Sequence, residues 1–434
     1  MSVLLGIPLS VRLAALLTLG LASGVLANLA ADALAFTPRR RSPWRPPLPD
    51  APPRRWSDRL PVVGWLGLRR EANLHGRGFW IRPMLVELLA ALGCCGLYLW
   101  ETQYLGLLPA GIALPPPMVL MTVLHVQFAV HLVLCWMMMT ASLIDLDEKT
   151  IPDAITVPGT LIGLASAALL PWSLLTAFPP AAEAGLFVNA PPPASLAHWP
   201  FLRLTSPNPW PQWLAGAPHF GSLALALACW WAWCLALLPR TWYARHGLRR
   251  AVLLCLARIV RERFTYRVLA MGVVGSMAVV AVWAFGGNSW AALLSSLTGM
   301  LCGGGIVWAV RILGHHILQR EAMGFGDVLL MAMIGAFLGW QPCLVVFFLA
   351  PLLALAAGIV QWLLVRDDAI PYGPFLCLAT LAVIVFWGRM WDRLYPLLGL
   401  GWFVPLAMVF CLAIMGPLLL LVHRLRMLLE RLLD

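Results

Sequence analysis

Along most of its length the chain runs in apolar stretches close to or above the ~20 residues that a helix needs to cross a bilayer, broken by clusters of arginine and proline. Lipid offers no hydrogen-bond partners to a backbone, so spanning segments are helices or a closed barrel. These runs are uninterrupted and lack the alternation of barrel strands. With 61% hydrophobic and 11% charged residues, the expectation is an all-α, polytopic transmembrane helix bundle. About eleven spans are expected, near 12–35, 84–108, 117–143, 155–177, 220–238, 268–286, 290–313, 328–341, 344–365, 372–388 and 402–422.

The net charge of +11 comes mostly from arginine gathered between the apolar runs. That pattern reads as membrane orientation; nucleic-acid binding would want a basic soluble domain with recognition elements, and none is evident. The segment 37–83 is dense in arginine and proline and is expected on the cytoplasmic side, with 37–61 extended and poorly packed. Counting spans from there puts 178–219 outside, with Trp199, Trp210 and Trp213 suited to the membrane interface, and 239–267 inside. The short stretch 389–393, with Arg389, Asp392 and Arg393, falls outside and fits the charge rule least well. Three regions follow: an N-terminal transmembrane segment, 1–36; the Arg/Pro-rich cytoplasmic loop, 37–83; and a membrane-embedded region, 84–434. Arg12 ahead of an apolar stretch and Ala31-Asp32-Ala33 also fit a cleaved signal peptide, but cleavage would send the arginines of 37–83 across the membrane, so an anchor is expected. The ten cysteines sit almost entirely in apolar segments and read as small buried hydrophobes, since no Cys/His cluster has metal-ligand spacing.

Two aspartates stand out against this background. Asp145 lies in Leu143-Ile144-Asp145-Leu146-Asp147-Glu148-Lys149-Thr150-Ile151-Pro152-Asp153, and Asp327 in Gly324-Phe325-Gly326-Asp327, each at the mouth of an apolar run. A carboxylate at membrane depth costs roughly 2.5–3.5 kcal/mol by insertion scales, so such a residue marks a functional site by default. The span count places both at the cytoplasmic face. Two carboxyls brought close together cannot both ionise cheaply, so one keeps its proton while the other stays charged. The charged partner can take a proton from a water held between them, and the protonated one can donate to a peptide carbonyl as the tetrahedral intermediate forms.

The neighbours fit that chemistry. Gly324 and Gly326 remove side chains just before Asp327 and allow close approach of a substrate strand. Pro152 punctuates the turn after Asp145, and Asp153 is placed to cap the following helix. Asp147, Glu148 and Lys149 read as solvated loop charges. The competing reading of Asp327 is a plain helix cap, the usual role of an aspartate behind a glycine pair. Glu87, a turn into its span, is expected to pair with an arginine near the inner surface. His315 and His316 are adjacent and so point in different directions on a helix, which argues for a surface role rather than a metal site.

Taken together, the two aspartate phrases resemble the type IV prepilin leader peptidases, polytopic bacterial aspartic proteases with a GxGD motif. Glu321 to Asp327 continues into Gly335-Ala336-Phe337-Leu338-Gly339-Trp340-Gln341 as the second aspartate segment, and Ile370-Pro371-Tyr372-Gly373-Pro374-Phe375 is similar to the proline-glycine motif that opens a late span. The resemblance implies catalytic roles for Asp145 and Asp327, with Gly324, Gly326, Pro152 and Asp153 in support. It also implies multi-pass residence in the bacterial cytoplasmic (inner) membrane, and prepilins of type IV pili or pseudopilins of type II secretion, with their N-terminal apolar helix, as substrates. Many members carry a four-cysteine zinc loop where this chain has 37–83, which contains no cysteine, so no structural zinc and no other metal is expected. Bifunctional members methylate the new amino terminus with S-adenosylmethionine; without the loop, that second activity and cofactor are not expected. Leu329 stands where the family commonly has a lysine. The alternatives are a GxGD intramembrane protease of another substrate class and a non-catalytic transporter or assembly scaffold whose aspartates bind a proton or a partner.

Overall fold

The computed structural model describes residues 6–37, 41–112, 114–179, 193–208, 210–215, 218–238, 262–318, 323–364 and 371–433. Among them the chain is all-helical, with a single isolated bridge between Thr176 and Phe201. The long helices are α1 (Leu9–Leu34), α2 (Ile81–Tyr98), α3 (Pro117–Glu148), α4 (Asp153–Leu169), α5 (Phe220–Ala236), α6 (Arg263–Phe285), α7 (Gly287–Leu318), α8 (Phe325–Leu338), α9 (Trp340–Leu364), α10 (Gly373–Leu398) and α11 (Phe403–Leu433). Among the described residues seven helices are long and apolar enough to cross a membrane, and Asp153–Leu169, Phe220–Ala236, Phe325–Leu338 and Phe403–Pro417 form shorter apolar helices. The chain is a multi-pass helical bundle.

The organising element is α8, which is buried at every residue from Asp327 to Leu338. At about 1.5 Å per residue it is too short to cross the hydrocarbon core alone, and its neighbours α4, α7, α9 and α10 wrap it. Close approach to α7 depends on paired glycines: a Cβ on Gly335 would stand 2.1 Å from the Gly299 carbonyl oxygen, and one on Gly299 would stand 2.3 Å from that of Gly335. Backbone cannot yield as a flexible side chain can, so Gly335→Ala is expected to cost at least about 1–3 kcal/mol, the range for forced overpacking. Thermal unfolding in detergent, compared with Ala336→Gly, measures it.

Among its described residues, 41–55 of the Arg/Pro-rich segment is irregular chain, in keeping with the expected extended 37–61, but the segment is packed rather than loose, with Ser42 and Asp58 buried. Short helical turns at Trp56–Arg59, Val63–Gly67, Leu68–Glu71 and Ala72–His75 are held by ion pairs that the sequence pattern did not reveal. Arg54 donates to both carboxylate oxygens of Glu71 at 3.0 Å, with Arg54 only 9% and Glu71 0% exposed. Arg70 pairs with buried Asp58. Removing one member of such a pair leaves an uncompensated buried charge, a loss of roughly 3–5 kcal/mol. Glu71→Gln is therefore expected to loosen this segment, read as new tryptic cuts at Arg54 and Arg55 under conditions where the wild type resists.

Four other expectations give way to packing. The apolar run at 155–177 is helical only to Leu169; Pro171 cannot continue the hydrogen-bond ladder, and the following segment is buried as irregular chain. Its carbonyls are satisfied from α10, with the Trp387 indole donating to Thr176 and that of Trp391 to Phe178. Trp199 is not interfacial but buried, edge-on to Phe178, whereas Trp210 and Trp213 stay exposed. The stretch 389–393 belongs to α10, which runs on to Leu398. Among the described residues Glu87 pairs with no arginine; it accepts hydrogen bonds from the Trp65 indole, the Val62 amide and the Asn28 side chain. His315 and His316 are exposed near the end of α7, as expected. The buried Glu101, carried on a π-turn at Leu99–Gln103, is bonded to buried His131 at 2.8 Å.

Candidate active site

Asp145 sits in the last turn of α3, not in a loop beyond it. The helix continues to Glu148 and stops at Lys149, which takes a left-handed conformation with φ 55° and returns its amide to the Asp145 carbonyl. Asp147 and Glu148, read from sequence as solvated loop charges, are therefore helical and partnered. Asp147 pairs with Arg82, and Glu148 accepts from the Phe36 and Thr37 amides and the Thr37 hydroxyl. The end of α1 and the Arg-rich segment are thus tied to the Asp145 end of α3.

The chain then turns through Ile151 and Pro152 into α4. Pro152 occupies the position before the helix with extended backbone angles, and Asp153 is the first helical residue. No side-chain cap bond is made there, so Asp153 does not serve as the expected cap. It lines a cavity of about 340 Å³ together with Arg311 and Phe325.

Asp327 lies in the first turn of α8, and its Oδ2 accepts the Gly324 amide at 3.2 Å. The plain cap reading is therefore correct as far as it goes: the carboxylate satisfies a free amide at a helix start. It is not the whole account. Asp145 and Asp327 are only 5% and 7% exposed, and the turn that follows Asp145 reaches α8 through Ile151, which packs on Gly326, the residue before Asp327. Asp145 is held by a second helix start, because its Oδ2 accepts the Gly373 amide of α10 at 3.1 Å. Each carboxylate thus faces the amino-terminal end of a helix, where free amides and the helix dipole favour negative charge.

Close approach is what brings these pieces together. Ile151, buried, is wedged between Gly326 and Gly373. A Cβ on Gly326 would lie 2.8 Å from the Ile151 Cβ, and one on Gly373 would lie 2.6 Å from Asp145 Oδ2 and 2.9 Å from the Ile151 Cδ1. A side chain at Gly326 would press on the Ile151 backbone and push the two aspartate segments apart, whereas one at Gly373 would press on the Asp145 carboxylate and the Ile151 side chain.

Of the residues singled out from sequence, Asp145, Asp327, Gly324 and Gly326 meet at one end of the bundle, with Pro152 and Asp153 on the adjoining turn. The amide of Gly373 and the side chains of Ile151 and Arg311 were not foreseen as parts of it. Leu329 is buried in α8, and the cation acting on Asp327 is Arg311 of α7, whose guanidinium stands 5.6 Å from the Phe325 ring centre. Among the described residues no group of three or more His, Cys, Asp and Glu could hold a metal ion.

Residues 255–359 match the family described as the type IV leader peptidase family. The chain is 34% identical over 110 residues to a prepilin leader peptidase/N-methyltransferase of Pseudomonas putida, covering 24% of this chain and 36% of the relative. It is 34% identical over 107 residues to one of Aeromonas hydrophila, covering 24% and 35%. With one of Xanthomonas campestris pv. campestris it shares 28% over 170 residues, covering 36% and 55%. The chain thus spans about a third of the length of the first of these relatives. No solved structure matches it. Asp327 and the α7–α8 packing that supports it lie within the segment, 255–359, that matches the type IV leader peptidase family.

Proposed function

We propose that the chain is a membrane aspartic endopeptidase that removes the leader peptide from type IV prepilins or type II secretion pseudopilins in the bacterial inner membrane. The observation that carries this reading is the meeting of Asp145 and Asp327, remote in sequence, at helix starts that share Ile151 as a spacer. The relatives' names supply the substrate class.

In the proposed reaction the two carboxyls share one proton and hold a water between them. The ionised carboxylate takes a proton from the water as its oxygen attacks the scissile carbonyl. The protonated carboxyl donates to the carbonyl oxygen, giving a neutral gem-diol. Collapse of the diol breaks the C–N bond: the proton held by the first carboxyl passes to the leaving amine, while one diol hydroxyl returns its proton to the second carboxylate and becomes the carbonyl of the new carboxyl group. The pair ends with one proton, as it began.

The cytoplasmic position of this site is supported by the contacts that tie 37–82 to it, since Arg82 pairs with Asp147 and that segment carries the arginines of the positive-inside rule. The same segment is the place where zinc would be sought, and its donor set does not fit: it has no cysteine and is held by arginine–carboxylate pairs. No methyl-transfer step is proposed, although the relatives' names include that activity. The test is incubation of the purified chain in liposomes with a prepilin precursor, followed by mass spectrometry of the products. A single cut between leader and apolar helix is the expected result; a cut inside the helix would favour a GxGD protease of another class, and an intact precursor would defeat the proposal.

A further inference from the structure

A groove of about 440 Å³ runs down the side of the bundle between α2, α3 and α10, with Ser23 of α1 at its edge. Its α3 wall extends from Leu132 to Ser142, about 15 Å at 1.5 Å per residue. No charged residue lines it. The walls are fixed to one another: the Trp136 indole donates to the Ser23 carbonyl, and the Cys377 thiol approaches the Met138 carbonyl at 3.6 Å.

What distinguishes this groove from the rest of the apolar surface is where it ends. Ser142 is one helical turn before Asp145 on the same face of α3. On the facing wall Pro374 directly follows Gly373, whose amide holds the Asp145 carboxylate. The groove is therefore continuous with the candidate site at its inner end. Charge begins just past that end of the groove, where Arg82 donates to the carbonyl of Leu143, the residue after Ser142, and pairs with Asp147.

The geometry points to this groove as the docking surface for one apolar transmembrane helix of the substrate, held with its inner end at Asp145. The inference rests on the peptidase reading above. A segment leaving the aspartates on the lipid side meets no water, so its own backbone must satisfy its amides, which makes it a helix. With no charge in the walls, its side chains must be apolar. The small residues Ala90 and Gly93 on α2 permit the close approach on which helix packing in lipid depends. The polar leader then emerges at the charged rim, which leaves the junction between leader and helix at the aspartates.

Gly93 makes the inference testable, because a Cβ built on it meets nothing within 4 Å. Gly93→Phe places a ring at the groove wall from a position whose Cβ is free of contacts. Gly96, one turn nearer the outer end of α2, is equally open but does not line the groove, so Gly96→Phe is the control. The purified full chain in liposomes is given two substrates with the same leader and cleavage site, one carrying its full apolar helix and one a soluble peptide that ends a few residues after the scissile bond, too short to span a membrane. The quantity read is the ratio of their kcat/KM values. Gly93→Phe is expected to lower the preference for the helix-bearing substrate at least tenfold, whereas Gly96→Phe keeps it within about twofold of the wild type. An unchanged ratio in Gly93→Phe overturns the groove while leaving the peptidase reading standing. A wild type that cuts neither substrate removes that reading and this proposal with it. A benzophenone side chain at position 93, in an Asp145→Asn background that keeps the precursor whole, gives an independent measurement. Photo-crosslinking to the substrate's apolar helix supports the assignment, and capture of lipid alone overturns it.

Discussion

Asp327→Asn is expected to lower leader cleavage by roughly 10²- to 10⁴-fold, the range that a positioned general acid or base contributes. Asparagine keeps the shape of the side chain and retains an oxygen that can accept the Gly324 amide, so the start of α8 is preserved. What it loses is the ability to take or hold a proton. Asp145→Asn makes the same point at the other site: the amide oxygen can still accept from Gly373, while the shared proton is gone. The measurement is the band shift of a prepilin precursor on incubation with each purified variant, paired with the thermal midpoint of the variant in detergent. Loss of processing with a midpoint within a few degrees of the wild type is the expected pair of results. Processing at the wild-type rate by either variant would remove the two-aspartate mechanism.

The parts of this fold that were legible in the sequence are those written locally. Uninterrupted apolar runs announce helices because lipid permits little else, and aspartates at the ends of such runs are conspicuous because their burial is costly. The pairing of Asp145 with Asp327 could be guessed from the alternation of arginine-rich and arginine-poor loops, which put both at one end. What escaped was written across distance. Nothing in Arg54 or Glu71 taken singly says that they are partners, so a segment rich in arginine and proline read as poorly packed chain when it is in fact closed by buried ion pairs. Trp199 has the composition of an interfacial residue and the position of a core one, because Phe178 and the indoles of α10 reach that segment from elsewhere. The helical turn after Asp145 was missed for a different reason: Asp147 and Glu148 look like loop residues until Arg82 and the end of α1 are seen to hold them. Arg311 likewise lies outside both aspartate phrases, and only the packing of α7 against α8 makes it a neighbour of Asp327.

Gly373→Ala is the sharpest test of whether the arrangement around Asp145 matters beyond the presence of its carboxyl group. The glycine supplies two things at once, a free first-turn amide for the carboxylate and the space in which that carboxylate lies. Alanine retains the amide but sets a methyl group 2.6 Å from Asp145 Oδ2 and 2.9 Å from the Ile151 Cδ1, distances at which something must move. Ile151 cannot retreat toward α8, because the Gly326 backbone already closes that side: a Cβ there would stand 3.1 Å from the Ile151 amide nitrogen. The carboxylate is the freer group, so the displacement falls on it and carries it off the Gly373 amide. Misplacing a reacting group by about 1 Å is enough to cost on the order of 10²-fold in rate. We expect a loss of that size in kcat, with KM for the precursor little changed because the walls that would hold the substrate helix are untouched. Ile151→Val, combined with Gly373→Ala, removes the Cδ1 contact but not the contact with the carboxylate. The double variant should therefore recover thermal stability more than activity, and recovery of activity to the same extent would show that Asp145 does not depend on the Gly373 amide.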